Sequence, residues 1–443
     1  MIPILLLTAA LAAPPQDSVR LTVATAIDRA LSTHPAIGAA RAGVDVAAAD
    51  VGQARAAWRP SVSVDGALNR FQKPMVVWPL HALDLRNPPT FDTELSQASI
   101  GAAYTLFDFG ARSARVKAAE SQRDAASASL GAAEQQLVAR TLASYLRVLT
   151  ARGVLAAEDQ RVAALAAEAK RARDRLAAGK AARVDTLRAA SELANAAADR
   201  VNSAMNVEMA ERELSRLMST PFSSVHGVAL NSVRLTARDT ALPAARDAEV
   251  SVAGTANADV QTAVRRADAA MASIVAARAG RLPVLQATTA IIDRSNITGR
   301  WLSEWQVGVG LSWPIYTGGA RESAISRAEA SSRAAQEQLR LTRLAAEQQV
   351  DESRAAYDAS RARVAALEAA AQQATEVARI TALARDVGEG TQTDYLIAEA
   401  SLFRARSSLV QARHAVVGAR VELARVLGEL SRAWIANSLE TQP

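Results

Sequence analysis

Two aspartates occupy matched places in this chain. Asp185 and Asp394 each stand six residues after a glycine, Gly179 and Gly388, and are separated by 209 positions. Each glycine reads as the end of one helix and each aspartate as part of the first turn of the next. A glycine there takes a positive φ at little cost. A carboxylate near a helix N-terminus complements the macrodipole, an effect of about 0.3–1 kcal/mol. Bond-breaking chemistry has no comparable footing. The four histidines (His34, His81, His226, His414) are scattered, and none has metal-ligand spacing. There is no cysteine, which excludes disulfides, thiolate ligands and cysteine nucleophiles and leaves membrane attachment to the fold. No phosphate-binding loop of Walker type occurs. No catalytic, metal or cofactor site is expected, and the chain does not read as an enzyme.

Lys and Arg number 51 against 45 Asp and Glu, a net charge of +6. The arginines are spread along the chain and alternate with acidic residues, the pattern of solvated helix faces. A nucleic-acid binder would gather them into one patch, so no nucleic-acid partner is expected. Met1 to Ala13 reads MIPILLLTAALAA, an apolar run closed by small residues that resembles a secretory signal peptide. No other stretch reaches the roughly 18 apolar residues of a transmembrane helix.

The elements that place the aspartates are long. Residues 320–387 hold neither Gly nor Pro and are rich in helix formers. Val350, Tyr357, Val364 and Ala371 recur every seven residues, as in a coiled-coil seam. At about 1.5 Å per residue such a helix is roughly 100 Å long. Residues 111–178, within the long helix expected over 110–178, behave alike, without Pro and with Gly only at Gly131 and Gly153, and Leu130, Leu137 and later Leu155, Val162 keep the seven-residue step. Shorter helices are expected at about 22–57, 184–218, 256–280 and 392–430.

Two segments depart from this pattern. Trp305, Val307, Val309, Leu311 and Trp313 alternate with small or polar residues, and so do Ile100, Ala102, Tyr104 and Leu106, and Val62, Val64 and Leu68. Period two predicts strands at about 60–70, 96–107, 283–293 and 305–316, with loops at 71–94 and 294–304. Eleven of the aromatic residues lie in 58–109 or 301–316. Trp58, Phe107, Phe109, Trp301, Trp305, Trp313 and Tyr316 sit near strand ends, where transmembrane barrels carry aromatic girdles.

The chain repeats itself. Gly110-Ala111-Arg112 matches Gly319-Ala320-Arg321 at the same offset of 209. Before the strands, Pro60 matches Pro283, each ending an incoming helix at a helix-to-strand junction. Gly110 and Gly319 mark the junctions back to helix. Residues 14–218 form a first repeat and 256–430 a second. Residues 219–255 link them, and 431–443 are a C-terminal tail.

Strands of about 10 residues suit a bilayer. Four cannot close a barrel, and open edges in lipid leave backbone groups unpaired at several kcal/mol each. The sheet must complete itself with other copies; three give twelve strands, with the helices forming a second, α-helical barrel. The duplication, the strand exit Leu311-Ser312-Trp313-Pro314-Ile315-Tyr316-Thr317-Gly318-Gly319 and the turn Gly388 … Thr393-Asp394-Tyr395-Leu396 … Ala400 resemble the outer-membrane efflux protein family, the TolC-like outer membrane factors. That resemblance implies a mixed α and β membrane protein. It would be a homotrimer with a twelve-stranded transmembrane β-barrel in outer-membrane lipid and an α-barrel in the periplasm of a Gram-negative bacterium. It implies a passive duct in a tripartite efflux pump or type I secretion system, working with a periplasmic adaptor protein and an inner-membrane transporter.

By the same resemblance the turns at Gly179, Gly388 and Gly390 are tips that dock the adaptor, and Asp394 and Asp185 ring a cation-selective periplasmic aperture. The family can carry a second Asp one turn further on; Ile397 stands there instead, which puts that selectivity in doubt. Arg183, Arg385 and Asp386 lie near the same tips. Position alone allows pairing across helices, and solvated helix ends are the simpler expectation. The competing readings are a soluble periplasmic coiled-coil scaffold and an adaptor protein. The scaffold leaves the aromatic strand pairs without a role; an adaptor would carry one helical hairpin and soluble β-domains.

Overall fold

The computed structural model describes residues 20–76, 86, 91–236, 246–295 and 301–442. The expected signal peptide and His81 lie outside the described residues. The chain divides into two units. One comprises Arg41–Ser129 and Gln261–Thr342; the other holds the chain up to Ala40, Leu130–Val260 and Arg343 onward. Among the described residues no helix is long and apolar enough to cross a membrane.

The first unit is built on four antiparallel strands: β1 (Ser61–Val76), β2 (Phe91–Phe107), β4 (Val284–Ser295) and β5 (Trp301–Ser312), in the order β1-β2-β4-β5. Among the described residues, both outer strands therefore have an unpaired edge. Alternation places the apolar side chains on one face, and the register aligns them. Val64, Ile100, Ile291 and Trp305 form one row across all four strands. They are 75%, 55%, 54% and 78% exposed, so nothing among the described residues covers this face. The row beneath, Ser63, Gly101, Ala290 and Gln306, is small or polar. A sheet that is polar on one side and openly apolar on the other is inside out for water.

The strands reach further than alternation indicates. β1 runs on to Val76 and β2 starts at Phe91, inside the expected loop 71–94, and β4 and β5 narrow the loop expected at 294–304. The extension loses the apolar period, and Pro74 marks it as loop. The sheet tolerates Pro74 because β1 is an edge strand and its register shifts between Arg70 and Met75.

Pro60 and Pro283 stand immediately before β1 and β4. Gly110 (φ +86°) and Gly319 (φ +81°) immediately precede α3 (Ala111–Ala177) and the later long helix Ala320–Val387. At the first junction Arg112 is held by Asp108, its backbone N–H donating at 2.8 Å and its Nε at 3.2 Å. The guanidinium lies 4.3 Å over the Trp58 ring. The second junction has Thr317 where the first has Asp108, and no equivalent buried pair.

The second unit is mainly helical, and the helices 35–56, 111–177, 258–279 and 320–387 are shared between the two units. Residues 22–57, expected as one helix, form α1 (Val23–Thr33) and α2 (Pro35–Ala56). Pro35 has no N–H to continue the ladder and opens the second helix instead. α4 (Arg183–Leu217) follows α3. The linker then forms β3 (Ser232–Leu235) and α5 (Arg246–Ala256), ahead of α6 (Ala258–Ala279). α7 is the long helix Ala320–Val387 and α8 spans Gln392–Val426. The segment read as a tail is ordered: it forms α9 (Arg432–Ser438) and β6 (Leu439–Gln442), which pairs antiparallel with β3.

The core of this unit gathers α1, α3, α4, α8 and the tail around Tyr145 and Leu142, both fully buried. The Tyr145 hydroxyl lies 2.7 Å from the Leu21 carbonyl and 2.9 Å from that of Asn231. Burial pushes its pKa up to about 12. Val350 and Tyr357 of the heptad seam are fully buried, while Val364 is half-buried.

His414 bonds Thr150 through Nδ1 at 2.8 Å, and burial lowers its pKa. The folded ring thus releases its proton more readily than the unfolded one, which titrates near ~6.5. Its burden on stability is absent above that pH and grows as pH falls through it. Thermal stability of the assembled protein should fall between pH 7.5 and 5.5, and His414→Gln should reduce that fall. An unchanged pH profile in the variant would remove His414 as its source.

Candidate functional site at the helical tips

Both expected turns lie in the helical unit, and each is closed by the same backbone device. After α3, Gly179 takes φ +71°; its N–H donates to Leu176 O at 2.9 Å and the Lys180 N–H to Arg175 O at 2.8 Å. After α7, Gly388 takes φ +87°; its N–H reaches Arg385 O at 3.2 Å and the Glu389 N–H reaches Ala384 O at 2.9 Å. These nested bonds are Schellman motifs, which satisfy the last carbonyls of a helix and reverse the chain. Gly390 is required for a different reason. A Cβ there would lie 3.0 Å from both the Ala384 Cβ and the Arg385 nitrogen.

The two aspartates fall in the first turns of α4 and α8, where they serve the helix ends. Asp185 accepts from the Ala182 N–H at 3.3 Å. Asp394 forms a reciprocal capping box with Thr391: the Thr391 N–H donates to Asp394 Oδ2 at 3.4 Å and the Asp394 N–H donates to Thr391 Oγ1 at 3.1 Å, with the Thr391 hydroxyl also donating to Oδ2 at 2.6 Å. Asp394 also lines a groove of about 270 Å³ with Val377, Thr381 and Ile397. Ile397 is exposed. Arg188 of α4 donates to Thr393 Oγ1 of α8 at 3.0 Å, linking the two returning helices.

Arg385 corrects the expectation of a solvated helix end. Its side chain is only 5% exposed and donates through Nη1 to Glu168 of α3 at 2.7 Å; Glu168 is 3% exposed. Nε and Nη2 donate to Asp386 at 3.0 and 2.8 Å. The guanidinium lies 4.0 Å over the ring of Tyr395, itself buried on α8. Hydrogen bonding to Arg385 holds the Asp386 carboxyl below its usual pKa, and burial raises that of Tyr395. One buried cation thus joins α3, α7 and α8 beside the turns. Arg183 is exposed. Glu168 was not singled out in the sequence, though it carried a signal. At the repeat offset Glu168 corresponds to Val377 and Arg385 to Leu176, so both are charges where the other repeat is apolar.

No group of three or more His, Asp or Glu able to hold a metal occurs among the described residues. The tips cap helices, hold charge and pair across helices. The outer membrane efflux protein family matches residues 26–220 and 250–429, most of the chain.

The chain belongs to the outer membrane efflux protein family.

This outer membrane efflux protein is 24% identical over 397 residues to outer membrane efflux protein BepC of Brucella suis, covering 87% of this chain and 81% of BepC. Its fold matches that of the outer membrane protein VceC of Vibrio cholerae with a TM-score of 0.77 at 21% identity, covering 92% and 96% of the two chains. A membrane protein from Pseudomonas aeruginosa matches at a TM-score of 0.79 and 23% identity, covering 92% and 93%. Family membership places the protein in the outer membrane as a duct component of efflux. It sets aside the soluble scaffold and the adaptor.

Proposed function

We propose that three copies of this efflux protein close one twelve-stranded barrel in outer-membrane lipid and one α-barrel in the periplasm. The duct is passive, exports small molecules or proteins, and is engaged by a periplasmic adaptor and an inner-membrane transporter at the tips Gly179, Gly388 and Gly390. The observation that carries this is the open four-stranded sheet with an uncovered apolar face. In hydrocarbon the unpaired edges of β1 and β5 cost several kcal/mol per group unless they meet. Pairing β5 of one copy with β1 of the next satisfies both and turns the apolar face to lipid.

The cysteine-free sequence allows a direct test. Cysteines scanned at Ser61 or Ser63 on β1 and at Gln306 or Gly308 on β5 should crosslink in isolated outer membranes. The covalent ladder should end at three chains, and the native mass in detergent should be a trimer. A monomer, or a ladder running past three, would overturn the arrangement.

Asp394, with Asp185, is proposed to set charge at the periplasmic aperture. Three like carboxylates near one axis repel each other and attract cations. In planar bilayers Asp394→Ala should shift the reversal potential toward anions. Because Asp394 also caps α8, Thr391→Ala is the control. It removes the cap partner, at about 1 kcal/mol, but keeps the charge, and its selectivity should stay that of the parent. Identical selectivity in Asp394→Ala and the parent would remove Asp394 from the aperture.

A further inference from the structure

The helical unit holds a groove away from the tips. It is an open groove between β3, α7 and α8 of about 630 Å³, a volume within the range of small-molecule sites. Its walls include Val233, Val364 and Val410. Three guanidinium groups stand among these aliphatic side chains, one from each element: Arg234 of β3, Arg361 of α7 and Arg413 of α8. The one carboxylate in the lining, Glu368, is taken by Arg413 at 2.9 Å. Arg234 and Arg361 have no carboxylate partner among the described residues. Arg361 lies 5.8 Å over the Tyr357 ring, a contact that leaves its N–H edges available. An apolar hollow with two uncommitted guanidinium groups at its wall has the complement of one kind of molecule.

We propose that this groove binds a small amphipathic organic acid. Its carboxylate sits at Arg234 and Arg361, and its apolar body lies on the valines. Guanidinium groups match a carboxylate with paired N–H donors. A neutral molecule of the same shape gains only the apolar contact, and an amine is repelled by the same arginines.

The test uses the full-length assembled protein in phosphatidylcholine nanodiscs, with empty nanodiscs as baseline. The probes are 1-naphthoate, 1-naphthalenemethanol and 1-naphthylmethylamine, followed by saturation-transfer NMR. Naphthoate should bind saturably, the alcohol more weakly, and the amine not at all above baseline. Arg234 and Arg361 are both exposed, so their replacement leaves the fold intact. Arg234→Gln with Arg361→Gln should lower naphthoate affinity tenfold or more, and Ala365→Trp, at the groove wall, should abolish binding by filling the space. Equal binding of acid and amine, or full affinity in the glutamine variant, would overturn the proposal. So would the absence of saturable binding, which would mean that a neighbouring copy fills the groove.

Discussion

Replacing Arg385 with alanine should open the tips of the helical unit at a cost of about 3–5 kcal/mol, the usual loss when one partner of a buried ion pair is removed. The reason lies in what is left behind. Glu168 stays 3% exposed, and its remaining cation is Arg171 at 3.0 Å, whose side chain is half in solvent. Tyr395 loses the cation on its face, and Asp386 loses both of its short bonds. Native-state hydrogen exchange of residues 380–396 reads this directly, since local opening can be followed without unfolding the rest. Arg385→Lys keeps the charge but not the planar fork or the stacking, and should recover part of the protection. Pairing Arg385→Met with Glu168→Leu should recover more than either single change, because no buried charge then remains alone. Protection as low in the double variant as in Arg385→Ala would mean that the ion pair does not hold the tips.

That pair also shows where the sequence stops being legible. The heptads at Val350 and Tyr357 predict buried seam positions, and both are fully buried. Periodicity reports a face, and a helix of this length has faces enough to read. The turns are legible because a positive φ selects glycine. Strand alternation is legible only where one face meets an apolar medium; beyond Arg70, β1 continues without that constraint and reads as loop. Contacts across long separations leave no local trace. Arg385 and Glu168 lie 217 residues apart, and β3 pairs with β6 about as far along the chain. For the ion pair the duplication supplies the missing hint, since both charges replace apolar residues of the other repeat. The four residues of β6 are too few to carry a period, so their pairing stays hidden until the fold brings β3 beside them. Asp394 was placed correctly in the first turn of a helix, but its capping box with Thr391 shows that the helix end uses the same carboxylate as the proposed aperture.

Gly428→Ala should be the most damaging single methyl group in the helical unit, and Gly179→Ala among the mildest at a left-handed glycine. Both residues end a helix with positive φ, +73° and +71°. The intrinsic cost of alanine in that conformation is therefore shared, at about 1–2 kcal/mol. Their surroundings differ. Nothing lies within 4 Å of a Cβ on Gly179, whereas a Cβ on Gly428 would lie only 2.7 Å from the Ala256 carbonyl carbon and nearer still to its oxygen. Ala256 is the last residue of α5, and backbone cannot swing aside as a flexible side chain can. The next residue, Asn257, donates to Val426 O at 3.0 Å while its Oδ1 accepts from the N–H groups of Asp259 and Val260 at the start of α6. Moving Gly428 away from Ala256 therefore strains the bond that ties the end of α8 to the start of α6. The heat stability of the assembled protein should drop slightly for Gly179→Ala and steeply for Gly428→Ala. The Gly428 variant should also lose hydrogen-exchange protection at residues 257–260 and 424–430. Equal losses in the two variants would mean that left-handed strain alone sets the cost and that the contact with Ala256 yields freely.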